Sequence, residues 1–350
     1  MYNGLVNAMK MAGFHMIQSG GGWNTLWTGL FKAPRIKNLN TYQRINHFPG
    51  SWCIGRKDSM WRNVRRMRLM HGRTFEIAPP TYIFPEDYKR WQSDREIAQH
   101  KHMYIMKPSA SSCGRGIKVI GKRQQVNKRS GYVVSQYVAK PHLIRGFKYD
   151  LRVYVMLTGI EPLKIYLFSE GLVRLATVPY STAKSSLKKR FVHLTNYSVN
   201  RKATNYQKAT GDSDDLGSKL SFAQLRKEYE REGVSFEAIF EKIKDVVVKT
   251  IVAAETPFIT AMGGNKFKHI CHEIFGFDIL IDSDFKPWLL EVNVLPSLSS
   301  SSQFDKQVKT LLLSDSLYLA GFNLYDRKTF EKDKAKTEKN RFLGFESAEQ

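Results

Sequence analysis

Two largely apolar runs, Phe275-Gly276-Phe277-Asp278-Ile279-Leu280-Ile281-Asp282 and Trp288-Leu289-Leu290-Glu291-Val292-Asn293-Val294, flank the short polar insert Ser283-Asp284-Phe285-Lys286-Pro287. That arrangement signals a β-hairpin. With the turn centred on Asp284 and Phe285, Asp278 lies opposite Glu291, and Asn293, two residues on, points the same way. Directly opposed side chains stand about 5 Å apart at Cβ, so three oxygen donors converge. Two carboxylates facing each other among bulky apolar neighbours repel and lose hydration unless a cation sits between them. Oxygen donors at this density suit Mg2+, which takes one or two carboxylates and completes its shell with water and phosphate oxygens. An edge hairpin with both acids in solvent gives the same pattern, and the hairpin alone does not choose.

What surrounds the hairpin limits the choice. The chain has 350 residues, enough for two or three packed subdomains, and 42% hydrophobic content is ordinary for a globular protein. Cys53, Cys113 and Cys271 are odd in number and lack CxxC spacing, so neither a disulfide framework nor a zinc site is expected, and reducing cytosol is the simpler compartment. No run of 18 apolar residues and no signal peptide is seen. The formal charge of +23 draws polyanions, whether nucleic acid, an anionic membrane surface or an acidic protein. Nearly half of it lies in the first 75 residues, which hold twelve Lys or Arg against one acid, Asp58.

Along the chain, residues 1–34 are rich in Gly and Met without firm periodicity, and Trp61–Arg68 reads as a basic helix. Tyr104–Pro108 reads as a strand, followed by the small-residue loop 109–116 and the strand Ile117–Ile120. Such loops let backbone N–H groups approach phosphate, and Lys107 and Lys118 flank this one, although neither a Walker nor a Rossmann spacing is present. Tyr132–Val138 is a further strand. In Phe147–Val155 the residues Lys148, Asp150 and Arg152 alternate with apolar or aromatic ones and so share a face, as they would on a half-solvated strand. Residues 163–168 and 172–178, joined by Ser169-Glu170-Gly171, read as a second hairpin, with Arg174 as the charged residue of its return strand. Lys184, Lys188, Lys189 and Arg190 form a basic loop that fits either a solvated surface or the seat of an acidic peptide. Phe236, Ile239, Phe240, Ile243, Val246, Val247 and Ile251 recur at helical spacing behind the N-cap Ser235, predicting a packed helix over 236–254. Ser302-Gln303-Phe304-Asp305 resembles a capping box that opens a helix through Leu317. From Asp326 onward the chain is mixed in charge and helix-prone.

The hairpin motif, Asn46-His47-Phe48-Pro49-Gly50 with Lys57-Asp58, the Lys148–Arg152 alternation and His193-Leu194-Thr195-Asn196-Tyr197-Ser198 together resemble the tubulin tyrosine ligase-like family of ATP-grasp amino-acid ligases, over roughly residues 31–325. Leu295 departs from it, standing where relatives usually have Ser. The resemblance implies an α/β (α+β) ATP-grasp-like fold, with nucleotide held between a central subdomain (75–138) and a C-terminal one (139–325) that carries the metal. A basic N-terminal subdomain (1–74) precedes these and a charged tail (326–350) follows. It makes Asp278, Glu291 and Asn293 Mg2+ ligands. Lys107 and Lys118, with Gly114, Arg115 and Gly116, fall to the ATP phosphates. Gln136, Tyr137 and Val138 fall to adenine, Lys148 and Asp150 to ribose, Arg152 to the reacting phosphate, and Thr195 and Asn196 also to ATP. Arg174 becomes the clamp on the incoming amino acid's carboxylate, helped by Tyr197, Ser198, Lys219 and Lys309, while His193 is structural.

The run 241–251 and Cys271-His272-Glu273 look most like the polyglutamylase branch that initiates side chains. The reaction implied is ATP- and Mg2+-dependent ligation of free L-glutamate to the γ-carboxylate of a glutamate in an acidic protein tail. Tubulin is the expected partner, with other acidic proteins as further acceptors, and the setting is cytoplasm and cytoskeleton, including cilium or basal body. A monomer is expected, with no nucleic acid and no membrane. Glycine or tyrosine ligation is the alternative within the family, and a basic nucleic-acid-binding module the alternative outside it. The latter lacks any RNP signature, zinc finger or basic zipper.

Overall fold

The computed structural model describes residues 3–17, 22–29, 39–204, 206, 218–263, 269–322 and 326–343. Most of the polar stretch expected between 200 and 220 lies outside them. The N-terminal part supplies α1 (Asn3–Met11), the parallel pair β1 (Thr25–Leu26) and β2 (Arg44–Ile45), α2 (Trp52–Gly55) and the basic helix α3 (Lys57–His71). A 3-10 turn over Gly72–Phe75 then leads into the first of two larger sheets.

That sheet draws its strands from β3 (Thr81–Phe84), β4 (Tyr104–Pro108), β5 (Lys118–Ile120) and β6 (Tyr132–Gln136), in the antiparallel order β3-β6-β4-β5. Helix α4 (Tyr88–Ile97) covers one face, where Trp91 packs with Tyr82, Phe84, Tyr104 and Met106. The opposite face presents Ile105, Lys107, Val133 and Ser135, as the period-two alternation of strands requires.

The second sheet contains β7 (Leu143–Ile144), β8 (Phe147–Ile160), β9 (Leu163–Leu175), β10 (Lys219–Leu220), β11 (Glu273–Ile281) and β12 (Pro287–Asn293). Its order is β10-β9-β8-β11-β12, with β7 paired to β8. Short helices α5 (Arg190–His193) and α6 (Tyr197–Asn200) precede β10; α7 (Phe222–Arg231), α8 (Phe236–Ala253) and α9 (Glu255–Met262) follow it; α10 (Gln303–Leu319) and α11 (Arg327–Phe342) end the described chain. Odd residues of β8 and β11 (Leu151, Val153, Val155, Phe275, Phe277) join Ile243, Val247 and Ile251 of α8 and Trp61 and Val64 of α3 in the main core. On the other face Tyr154 and Ile274 meet Val308, Leu312 and Leu313 of α10 and Leu5 of α1. Each buried Leu, Ile or Val contributes roughly 1.5–3 kcal/mol, so the sheet is anchored from both sides. Among the described residues, no helix is long and apolar enough to cross a membrane.

One expectation is corrected. Residues 163–175 form a single 13-residue strand, and the hairpin is β8–β9 rather than a turn at Ser169-Glu170-Gly171. Those residues form an irregularity instead, since Val153 pairs with Gly171 and Val155 with Leu167. Gly171 is needed for space, not for turning, because a Cβ there would stand 2.3 Å from the Phe222 ring and 2.6 Å from the Arg152 carbonyl. Helix α8 starts behind Ser235 as expected, its hydroxyl accepting from the Ala238 N–H. The cap of α10 is half of the expected box: Ser302 accepts from the Asp305 N–H, but the Asp305 carboxylate turns to Ser301 and Lys219.

Candidate active site

The β11–β12 hairpin pairs Asp278 with Glu291, although by a different route from simple counting. Near the turn Ile281 pairs with Pro287 and Ile279 with Leu289, which centres the turn on Asp284, half a residue earlier than expected. The Asp282 carboxylate fixes it by accepting from the N–H groups of Asp284 and Lys286 and from the Trp288 indole. The register then shifts between Ile279 and Asp278, with Leu290 as the extra residue, and the Asp278–Glu291 pair is restored. The shift also flips Glu291 from the core face, where Leu289 and Val292 lie, to the face that carries Asp278.

That face borders a cavity between the two sheets. Lys107, Val133 and Ser135 of the smaller sheet look across at Lys148, Asp150 and Asp278 of the larger one. Gln136, Tyr137 and Val138 close one end, and Thr195 and Asn196 close a side. Ten residues read from the sequence as ATP or metal contacts therefore line one space, Glu291 included.

Charge is closely matched at its edge, where Arg152 and Arg174, which do not line the cavity, hold the lining acids Asp150 and Asp278. Arg152 forks onto Asp278, with Nε 2.6 Å from Oδ1, and Arg174 bridges Asp278 at 2.8 Å and Asp150 through Nε at 2.7 Å. All four groups lie on neighbouring strands because Asp278 faces Arg152 and Asp150 faces Arg174 in the register. Burial alone would raise the Asp278 carboxyl, but the two guanidinium groups reverse this and hold it well below its usual range. Lys148 is buried, donates to the Tyr137 hydroxyl at 3.0 Å and lies over that ring. Burial pushes its ammonium down to about 7, and Lys107 adds to the effect against the pull of Asp150. Burial likewise lowers Lys107.

A phosphate-bearing ligand would reverse these lysine shifts. At pH 8 the free protein holds Lys148 mostly neutral, and an incoming anion restores its proton, so binding must take up protons. We predict net uptake on ADP binding at pH 8, read by calorimetry in buffers of different ionisation enthalpy, and its loss in Lys148→Met. Uptake that is unchanged in that variant would contradict the assignment.

Other expected residues sit around this cavity rather than in it. The loop holding Gly114, Arg115 and Gly116 packs on the 196–199 turn: Ser198 donates to the Cys113 carbonyl and Arg190 to that of Gly114. Gly114 has φ +67°, and a Cβ there would stand 2.9 Å from Val199. Lys118 pairs with Met106 in the register and therefore projects from the opposite face to Lys107. It is exposed on a second groove with Lys101, Lys122, Arg123, Lys188 and Arg190, and this groove shares the wall Ile117, His193 and Leu194 with the cavity. Asn293 donates to the Gly276 carbonyl beside the hairpin. Lys219 and Lys309 converge on buried Asp305, Lys219 at 2.7 Å and Lys309 at 3.3 Å, and the Tyr197 ring lies 4.5 Å from the Lys219 ammonium. Lys219 is also the register partner of Arg174, so this cluster continues the charged band. His193 is buried between the Tyr137 hydroxyl and the Ser186 carbonyl, and burial pushes it down to about 4, in keeping with a structural neutral imidazole.

Two residues of the site were not singled out in the sequence. Asp305 reads only as a helix cap. Lys57 enters the sequence reading only with Asp58 as part of the family resemblance, with no site role, yet it lines the cavity with its ammonium 2.8 Å from the Glu291 carboxylate. Its signal was its place at the start of a helix, where a cation opposes the helix dipole and needs a partner.

The Asp278, Glu291 and Asn293 donors are hard oxygens on adjacent strand positions, with Glu291 partly open to the cavity, and they fit a Mg2+ ion that keeps water or phosphate among its ligands. No group of three or more His, Cys, Asp or Glu among the described residues is arranged to hold a metal on its own.

Residues 35–328 match the model of the tubulin-tyrosine ligase family. The chain belongs to that family. It is 44% identical over 314 residues to the mouse protein "Tubulin monoglutamylase TTLL4", covering 89% of this chain and 26% of that one. It is 38% identical over 319 residues to human "Tubulin polyglutamylase TTLL5", covering 90% and 25%. The Caenorhabditis elegans "Tubulin polyglutamylase ttll-4" is 37% identical over 309 residues, covering 87% and 50%. The chain thus spans about a quarter of these mammalian relatives and half of the nematode one.

Proposed function

We propose that this member of the tubulin-tyrosine ligase family is an ATP- and Mg2+-dependent ligase that adds glutamate to the γ-carboxylate of glutamate residues in the acidic tails of tubulin. The observation that carries the reading is the cavity itself, which sets Lys107 and Lys148 across from Asp278 and Glu291 between two sheets. Its relatives' names supply the acceptor and the amino acid.

ATP lies with adenine toward Gln136–Val138 and its phosphates toward Lys107. The acceptor carboxylate attacks the γ-phosphorus, giving an acyl phosphate and ADP. The amine of free glutamate then attacks the acyl carbon and phosphate leaves, so one amide bond forms for each phosphoanhydride bond broken. Asp278, Glu291 and Asn293 would hold Mg2+, which would neutralise charge gathering between carboxylate and triphosphate. Lys107 and Arg152 serve the same charge from fixed positions. Arg174, Lys219 and Lys309 receive the amino acid's carboxylates; Asp150, Asp278 and Asp305 pair with those cations and hold them in place. The net charge of +23 and the basic groove beside the cavity suit a polyanionic tail. The fold is read as ATP-grasp-like, and the protein as cytoskeletal.

The test is parallel incorporation of labelled glutamate, glycine and tyrosine into microtubules with and without MgATP. Glutamate alone, and only with MgATP, is the expected result. Uptake of glycine or tyrosine instead would overturn the amino-acid assignment.

A further inference from the structure

Residues 176–189 run from β9 to α5 without helix or strand, and Thr182 to Lys188 supply one wall of the basic groove beside the cavity. The other wall is β5 with the turn that follows it. The two approach each other at Gly121, where a Cβ would stand 3.2 Å from the Leu187 side chain. Ser186 anchors the loop: it is buried, and its hydroxyl donates to the Ser181 carbonyl at 2.8 Å and to the Ala183 carbonyl at 2.7 Å. Ser185, next to it, is exposed on the groove. Lys184 and Lys188 flank it, Lys118, Lys122 and Arg123 line the other wall, and among the described residues the lining holds no Asp or Glu. Cations gathered without acids repel one another and favour a bound polyanion.

We propose that Ser185 is a phosphorylation site whose phosphate is held in this groove and closes it to the acidic tail of the acceptor. The proposal rests on the reading of the groove as a seat for that tail. Lys188, Lys189 and Arg190 follow Ser185 closely in the chain, a charge pattern of the kind by which kinases select substrates. The γ-phosphoryl group of the kinase's ATP passes to Ser185 Oγ, the hydroxyl proton goes to the kinase's base, and ADP leaves. The new group carries roughly −1.5 to −2 charge and three acceptor oxygens. Lys184 and Lys188 beside it, and Lys122 and Arg123 across the groove, offer it charge-assisted hydrogen bonds. Each cation so engaged is lost to an incoming carboxylate. Lys107 and Lys148 line the cavity and not this groove, so nucleotide affinity should not change.

The experiment treats the full chain with a serine kinase that selects basic sequences, maps the phosphate by mass spectrometry, and measures binding of poly-L-glutamate and of ADP before and after, with Ser185→Ala alongside. Phosphate should enter Ser185 stoichiometrically, weaken poly-L-glutamate binding about tenfold at low salt and leave ADP affinity unchanged. Ser185→Ala, carried through the same treatment, should keep its full poly-L-glutamate affinity. Absence of phosphate from Ser185, or a phosphorylated chain that binds poly-L-glutamate as tightly as the untreated one, overturns the proposal. Equal weakening in treated Ser185→Ala assigns the effect to another residue and overturns it as well. An untreated chain that does not bind poly-L-glutamate would overturn the reading of the groove itself and the proposal with it, which separates that failure from a failure of the modification.

Discussion

Glu291→Gln should reduce glutamate incorporation by at least about 10²–10³-fold while the protein stays folded. The substitution keeps the shape of the side chain and removes its charge, so the strand pairing with Asp278 persists. What disappears is the carboxylate that fits the metal and holds Lys57. The stability cost should be small, roughly 1–2 kcal/mol, because Glu291 is partly open to the cavity and a glutamine can still accept from Lys57. Labelled glutamate uptake and thermal unfolding measured on the same preparation check both halves. A folded variant that retained more than a tenth of wild-type activity would remove Glu291 from the chemistry.

Arg174→Leu should act the other way, on stability first. Arg174 is buried against two carboxylates on neighbouring strands, and Asp150 has only 3% of its surface exposed. Removing the guanidinium strands negative charge in the core of the site, at a cost of roughly 3–5 kcal/mol. Urea denaturation should show that loss, and Asp150→Asn combined with Arg174→Leu should recover part of it. The pH dependence follows from the same contacts. Asp278 is held below its ordinary value of 3.8, so its contribution is fully present above that value and is lost as pH falls toward the folded-state value. In Arg174→Leu that acid-side loss should shrink, since only Arg152 remains to hold Asp278 down. A change in stability below about 1 kcal/mol would mean that the network tolerates the gap by hydration.

Much of the site was legible because strands alternate. Lys148, Asp150 and Arg152 share a face for no reason beyond period two, and the apolar residues between them enter the core. Asp278 opposite Glu291 was legible for a less secure reason: counting from the turn gave the right pair only because the turn's early centre and the extra residue at Leu290 cancel. Irregularities of this kind have no sequence mark of their own. The same blindness turned Ser169-Glu170-Gly171 into a turn, when the glycine is there to admit the Phe222 ring. Lys118 shows the limit of reading charge near a glycine loop, since register decides the face and sends it to the groove instead of the cavity. Lys57 and Asp305 were missed because their partners, Glu291 and Lys219, lie 234 and 86 residues away in the chain. Contacts at that distance come from the fold alone.

The most direct test of the account is to follow oxygen. An acceptor peptide with glutamate γ-carboxylates labelled with 18O, turned over with ATP, Mg2+ and unlabelled glutamate, should release phosphate carrying one 18O for each glutamate ligated. That transfer requires the acceptor carboxylate to attack the γ-phosphorus in the cavity between the two sheets. Phosphate without label, at a measured rate of ligation, would contradict it.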